Sequence, residues 1–177
     1  MRILIAGIGN IFMGDDAFGC EVATELGARP RPDGVRVTDF GIRSYDLAYA
    51  IMEGYESVIL VDAVPRGDAP GTVYLIEPDS GELEQLAAGV PDAHSMNVLT
   101  ALQMVRTLGG TTGRLYVVGC EPAVLESEEL GLSEPVRAAI PGAVAMVEEL
   151  VSNLMETRES AFSIESAASR RLAPGEN

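Results

Sequence analysis

The chain has 177 residues, 47% of them hydrophobic, and its 27 acidic and 12 basic side chains give a formal net charge of −15. This length predicts a single domain with a substantial core, and the apolar content suits an α/β fold whose sheet is covered on both faces. The negative charge disfavours nucleic acid and anionic membrane surfaces as partners, and no apolar run in the sequence approaches the ~20 residues of a membrane helix.

The first half of the chain alternates between apolar runs and chain breakers in a β–α rhythm. Residues 2–6 predict the first strand and residues 17–26 the first helix, with a glycine-containing turn between them. Residues 35–39 predict a second strand and residues 43–53 a second helix. A third strand at residues 57–62 is nearly all apolar, which is typical of a central strand in a parallel sheet.

The second half adds two strands and two helices. The connection after the third strand is rich in proline and glycine and too short for a crossover helix, so a fourth strand at residues 72–76 is predicted to run antiparallel to a neighbour. A helix at residues 97–108, a fifth strand at 114–119 and a last helix at 134–154 follow, with Ser133 as its N-cap. We therefore predict a three-layer α/β sandwich with a mostly parallel five-stranded sheet and one antiparallel strand.

The periodic apolar pattern ends near residue 155. Beyond it, isolated apolar residues lie among Ser, Glu, Arg and Ala, a composition typical of a mobile segment. We expect one domain over residues 1–155 and a flexible C-terminal tail over residues 156–177.

The two cysteines bear on location and chemistry. Cys20 and Cys120 are far apart in the sequence and fit reduced thiols in a cytoplasmic protein. Met1 leads into the first strand without the pattern of a signal peptide, so a cytoplasmic location is expected. Cys120 ends an apolar strand and is predicted to be a core residue.

The turn after the first strand carries two adjacent acids. Glycines between a first strand and a first helix commonly cradle a phosphate. Here Asp15 and Asp16 occupy that place, and carboxylates repel a pyrophosphate and attract a cation. The spacing of Gly7, Gly9 and Gly14 also differs from the dinucleotide-binding pattern. The turn therefore favours a metal site or acid chemistry over a nucleotide.

Three candidate ligands fall where strands end and helices begin. Asp16 follows the first strand, Asp62 ends the third, and His94, the only histidine, precedes the third long helix. Open α/β sheets place their ligands at this edge, and two carboxylates with one imidazole can bind a divalent metal. Each residue also has a structural alternative. Asp15 or Asp16 could cap a helix, Asp62 could bond its own turn, and His94 could be an exposed or capping histidine.

Six motifs accompany these candidates along the chain. They are Gly7-Ile8-Gly9-Asn10 with Met13-Gly14-Asp15-Asp16 and Gly19, Asp39-Phe40-Gly41, Asp62-Ala63 with Pro70-Gly71, His94-Ser95-Met96 with Leu99, Gly119-Cys120-Glu121-Pro122, and Gly131-Leu132-Ser133 with Val136. In these motifs the chain resembles the hydrogenase maturation proteases of nickel–iron hydrogenases. The resemblance covers most of the chain ahead of the predicted tail.

The resemblance implies a phosphorylase/hydrolase-like sheet sandwich and a cytoplasmic endopeptidase. Such proteins remove a short C-terminal extension from the precursor of the hydrogenase large subunit after nickel has been inserted. The positions that contact the metal correspond to Asp16, Asp62 and His94, and the first of these is Glu in some relatives. We take Asp15, Asp16, Asp62 and His94 as the catalytic candidates, nickel as carried by the substrate, and no organic cofactor. A monomer is expected.

Two other functions remain open at this point. One is a nucleotide-binding α/β domain in which Asp39 would hold a ribose hydroxyl, and the other is a non-enzymatic metal-sensing protein or chaperone. The sequence lacks the serine-elbow, CxxC, HExxH and Asp-Thr-Gly motifs. If the chain hydrolyses peptides, its chemistry therefore rests on carboxylates and His94.

Overall fold

A computed structural model describes residues 1–78, 96–125 and 130–169. His94 lies outside these residues. In chain order the elements are β1 (Ile3–Ile8), a 3₁₀ helix (Gly14–Ala17), α1 (Phe18–Gly27), β2 (Val35–Gly41), α2 (Ser44–Met52), β3 (Ser57–Ala63), β4 (Val73–Ile76), α3 (Met96–Thr107), β5 (Arg114–Cys120) and α4 (Glu134–Ser169).

The five strands form one sheet in the order β2-β1-β3-β5-β4. The pairs β1–β2, β1–β3 and β3–β5 are parallel, and β4 runs antiparallel to β5. The predicted mostly parallel sheet with an antiparallel fourth strand is therefore confirmed. Its geometric cause is the short connection from β3 to β4, which leaves no room for a crossover helix.

Helices cover both faces of this sheet and bury two apolar clusters. On one face Phe18 and Val22 of α1 pack with Val147 of α4 against the sheet. On the other face Ile51 of α2 packs with Val105 of α3. Because side chains alternate between the faces of a strand, each central strand contributes to both clusters, which explains its near-continuous apolar sequence. The result is the predicted three-layer arrangement.

The paired acids lie in the turn ahead of the first α-helix, where the sequence places them. A separate 3₁₀ helix, Gly14–Ala17, carries Asp15 and Asp16, and α1 starts only at Phe18. A tight 3₁₀ turn is common at the entrance to an α-helix. It lets the two adjacent carboxylates make different contacts.

The last helix is longer than the sequence pattern indicated. α4 continues to Ser169, well into the segment predicted as a tail. The good helix formers Glu and Ala recur there, so helical backbone persists where the apolar pattern is lost. The division into a domain over residues 1–155 and a flexible tail stays a prediction.

Part of α4 is long and apolar enough to meet the criteria of a membrane-spanning helix, although no uninterrupted apolar run in the sequence approaches that length. The segment is Glu134–Thr157. Its residues Val144, Val147 and Val151 are buried in the cluster under the sheet. A core helix of a globular domain meets the same criteria.

Candidate active site

Glycines bring the start of α1 close to the two central strands. A Cβ atom added to Gly19 would lie 2.0 Å from the carbonyl oxygen of Val61, and one added to Gly7 would lie 2.3 Å from the carbonyl oxygen of Gly19. At Gly9, where φ is +129°, the added atom would lie 1.7 Å from the carbonyl oxygen of Asp16. The glycines therefore serve close backbone approach, which places the acidic turn over the carboxyl ends of β1 and β3.

Asp16 is buried in this turn and faces back toward β1. Its side chain is 6% exposed, and its Oδ2 atom accepts a hydrogen bond of 2.8 Å from the backbone N–H of Asn10. The bond joins the turn to the 3₁₀ helix and holds the carboxylate in place. Asp16 thus follows the first strand, as the sequence predicted.

Asp62 lies on the neighbouring strand, near the end of β3, and is partly exposed. Its Oδ1 atom accepts a hydrogen bond of 2.9 Å from the backbone N–H of Ala63. Burial, together with the negative charge of Asp16, raises the pKa of Asp62 to about 8. The charge of Asp16 therefore acts on Asp62 at the carboxyl ends of the paired strands β1 and β3, and either a proton or a cation relieves that repulsion.

A thiol lies beside the same acids. Cys20 is buried, and its Sγ atom donates to the carbonyl oxygen of Gly9 at 3.4 Å. Burial, a hydrogen bond to Asp39 and the charges of Asp16 and Asp62 raise the pKa of this thiol. Asp39, considered above as a ribose ligand, therefore belongs to the acidic group at this edge. Cys20 remains a thiol there and is a poor nucleophile.

Asp15 points away from this group and is enclosed by protein. It is 1% exposed, and its carboxylate accepts hydrogen bonds from the N–H groups of Ala123 and Val124, at 2.7 and 3.0 Å. It also accepts bonds from the N–H and hydroxyl of Ser133, at 2.7 and 2.9 Å. Burial acts to raise the pKa of Asp15, but these bonds outweigh it and lower the pKa.

This geometry assigns a structural function to Asp15, which the sequence analysis placed among the catalytic candidates. Its carboxylate is engaged on four sides, so no face is open to a substrate. It instead ties the 3₁₀ helix to the loop after β5 and to the start of α4. Ser133 precedes α4 as predicted, and its carbonyl accepts the bond from Arg137 N–H, but its hydroxyl bonds Asp15.

A third buried acid, Glu121, is not among the functional candidates that the sequence predicts. It is 5% exposed and accepts hydrogen bonds from the N–H groups of Arg66 and Gly67, at 2.7 and 3.1 Å, and from the hydroxyl of Tyr74 at 2.7 Å. Burial acts to raise the pKa of Glu121, but the bonds lower it. Glu121 therefore holds the loop that follows Asp62. In the sequence, the motif Gly119-Cys120-Glu121-Pro122 is the feature that could have pointed to Glu121.

The proposed metal triad is only partly visible. Among residues 1–78, 96–125 and 130–169, no group of three or more His, Cys, Asp or Glu side chains is placed to hold a metal ion. Since His94 lies outside those ranges, its convergence with Asp16 and Asp62 stays a prediction. Of the three predicted ligands, the structure describes Asp16 and Asp62.

Exposed apolar side chains border the acidic pair. Ile11 and Phe12, in the turn that leads to Asp16, are 50% and 68% exposed, and Ile42, directly after β2, is 57% exposed. Exposed apolar side chains of this kind, close in the chain to polar residues, are typical of a surface that binds another protein.

The fold and this edge define a class of protein. It is an α/β sandwich with a carboxylate pair at the carboxyl ends of its central strands, in the place where open sheets bind ligands. The sequence profile of the hydrogenase maturation proteases matches residues 20–150. The chain therefore belongs to the hydrogenase maturation protease family.

Individual relatives agree with this assignment. A putative hydrogenase maturation protease of Methanocaldococcus jannaschii is 34% identical over 82% of this chain and 93% of its own length. The hydrogenase 2 maturation protease of Escherichia coli is 32% identical over 83% of this chain and 88% of its own. Both are similar over nearly their whole length, so the likeness is not confined to one motif.

Solved structures give the same result. The hydrogenase maturating endopeptidase HybD of Escherichia coli superimposes with a TM-score of 0.73 at 29% identity, covering 89% of this chain and 94% of that one. HybD from Thermococcus kodakarensis gives 0.68 at 26% identity, covering 85% and 99%. The chain is thus a peptidase of the hydrolase class, and the nucleotide-binding and chaperone alternatives are disfavoured.

Proposed function

We propose that this protein is an endopeptidase that removes the C-terminal extension from the nickel-loaded large-subunit precursor of a nickel–iron hydrogenase. The observation that carries the proposal is the coupled pair Asp16 and Asp62, at the carboxyl ends of β1 and β3, in a chain of the maturation protease family. Cleavage would complete maturation of the large subunit.

Nickel enters this scheme as part of the substrate. Burial of Asp62 and, after it, repulsion by the charge of Asp16 disfavour the ionised carboxylate and raise its pKa. A divalent cation carried by the precursor relieves the repulsion and accepts oxygen and imidazole ligands. We assign these contacts to Asp16, Asp62 and His94. An empty precursor lacks the cation, so cleavage acts as a checkpoint on metal insertion.

The hydrolytic steps fall to the acids and His94. Peptide hydrolysis needs an activated water, a polarised carbonyl and a proton for the leaving amine. Burial raises the pKa of Cys120 to about 11, and that of Cys20 is raised as well, so neither supplies a thiolate. We therefore propose chemistry of the aspartyl type at Asp16 and Asp62. Asp15 orients Asp16 through the short helix that both occupy.

The partner in this scheme is a folded protein carrying an extension. The exposed apolar side chains of Ile11, Phe12 and Ile42 beside the acids suit such a partner. The buried reduced cysteines agree with a cytoplasmic setting. The monomeric state is checked by light scattering after size-exclusion chromatography.

The deciding experiment mixes the purified protein with nickel-loaded and with nickel-free precursor and measures the mass of the large subunit. We expect the loaded precursor to lose its extension and the empty one to keep it. Equal cleavage of both would remove the role assigned to the cation. Binding of the loaded precursor with no loss of mass would favour the chaperone alternative.

A further inference from the structure

The strand β2 forms an edge of the sheet and, among the described residues, pairs only with β1. The N–H of Ile3 donates to the carbonyl of Gly34, and this bond shows which residues of β2 direct their backbone groups toward β1. Since bonding alternates along a parallel strand, the backbone groups of Arg36 and Thr38 face β1, and those of Val37 point away from the sheet. The edge thus presents the N–H and carbonyl of Val37 to an incoming chain, while the N–H of Val35 bonds the carbonyl of Pro32 and the carbonyl of Asp39 accepts a bond from Arg43.

Cavities lie against this strand on both faces. Between β2 and α2 is a cavity of about 280 Å³ lined by Arg36, Thr38 and Tyr49 among others. On the opposite face is a cavity of about 220 Å³ to which Val35 and Val37 contribute, together with parts of α1 and α4. Successive side chains of a strand point to opposite faces, so a strand added here would direct its side chains toward the two cavities in alternation.

The edge also leads directly into the acidic site. At its end the carbonyl of Gly41 accepts a hydrogen bond from the N–H of Gly9, in the turn whose next residue bonds Asp16. Basic residues line the cavities in an otherwise acidic chain: Arg29, Arg31, Arg36 and Arg43. Arg29, Arg36 and Arg43 are ion-paired with Glu148, Glu53 and Asp46. Arg31, near the Val35 end of the strand, bonds the carbonyl of Gly27 and makes no ion pair among the described residues, so its guanidinium suits a peptide that ends there in a free carboxylate.

We propose that the free edge of β2 binds the C-terminal extension of the precursor as an added antiparallel strand. The inference rests on the proposed function, and it names the place where that substrate is held. The first residues of the extension lie beside Asp16 and Asp62, and its chain runs along β2 toward Val35. The peptide bond to be cut therefore lies at the two acids. Backbone bonds along the edge give affinity, and the two cavities select among side chains.

The test uses proline at matched edge positions. Val37→Pro removes an outward N–H and leaves the β1 ladder intact, since edge strands tolerate proline at such positions. Leu75→Pro is the control on the other edge strand. The bond from Glu121 N–H to the carbonyl of Thr72 shows that Leu75 N–H points away from β5. Each variant is assayed on loaded precursor with its full extension and with an extension cut to three residues.

We expect Val37→Pro to lower kcat/KM at least tenfold on the full extension, mainly through KM, and less than twofold on the short one. Leu75→Pro should stay within twofold of wild type on both. An equal loss on both precursors, or no loss on either, would overturn the inference while leaving the proposed function in place. Failure of the wild-type protein to cleave either precursor would instead refute the proposed function, and this inference with it.

Hydrogen exchange gives a second measurement that does not depend on the folding of a proline variant. With Asp62→Asn holding the precursor uncut, the amide of Val37 should exchange at least tenfold more slowly in the complex than in the free protein. Unchanged exchange at Val37 in a complex shown to form would overturn the proposal.

Discussion

The backbone N–H of Ser133 donates a hydrogen bond of 2.7 Å to Oδ1 of Asp15, 118 residues earlier in the chain. This bond joins the acidic turn after β1 to the start of α4. The same carboxylate also accepts bonds from Ala123 and Val124, in the loop after β5. One buried side chain therefore fixes three segments around the site.

The first prediction concerns Asp15→Asn. The amide retains one acceptor oxygen and brings an N–H₂ group toward N–H donors, so we expect a loss of about 1.5–3 kcal/mol in the free energy of unfolding. For a protein of this size that corresponds to a fall of roughly 3–12 °C in Tm. Calorimetry at neutral pH measures it. Ser133→Ala, which removes only one of the four bonds, should cost less.

The same variant gives a dependence on pH. Because the pKa of Asp15 is lowered in the folded state, its contribution to stability is present above the unfolded-state pKa of about 3.9 and is lost as the pH falls through the folded-state value. The stability difference between wild type and Asp15→Asn should therefore be largest above about pH 4 and shrink on further acidification. Urea unfolding over a pH series checks this, and a constant difference would contradict the assignment.

The second prediction concerns Asp62→Asn. We expect processing of nickel-loaded precursor to be lost. The neutral amide is a weak ligand for nickel, and it cannot accept or donate the proton that peptide hydrolysis requires. The free energy of unfolding, unlike processing, should be maintained or should rise. The raised pKa means that wild type loses stability as the pH rises from about 4 through about 8, a loss that the amide avoids. The variant should thus be at least as stable at pH 8. Processing at the wild-type rate would refute the site assignment.

The third prediction tests the close approach of α1 to the strands. Gly19→Ala would place a methyl group 2.0 Å from the carbonyl of Val61, so we expect a loss of at least about 3 kcal/mol in unfolding free energy, with loss of processing. Gly27→Ala is the matched control in the same helix, because a Cβ there has nothing within 4 Å. It should change stability by less than about 1 kcal/mol.

The fourth prediction concerns the thiols. Cys20 and Cys120 are both buried, and both have a raised pKa, Cys120 to about 11. Iodoacetamide at pH 7.5 should therefore leave the folded protein unmodified and fully active, whereas the protein in guanidinium should take up two equivalents. Mass spectrometry measures both. Rapid loss of processing on alkylation of the native protein would point to a thiol nucleophile.

The sequence by itself determined the layered α/β fold, because apolar runs of strand length alternate with helical periods and a short connection forces β4 to run antiparallel. It also identified Asp16 and Asp62 as neighbours, since the carboxyl ends of adjacent parallel strands meet at one edge of the sheet. Both inferences depend on local pattern and on simple rules of topology.

Only the tertiary structure separated Asp15 from Asp16. The two are adjacent in sequence and chemically identical, but the 3₁₀ helix turns one toward Asn10 and the other toward Ser133. It likewise showed that Glu121 holds the loop beyond Asp62 and that the amide of Val37 lies on a free edge. These properties depend on contacts between residues far apart in the chain, and the spacing of residue types along a sequence does not encode them.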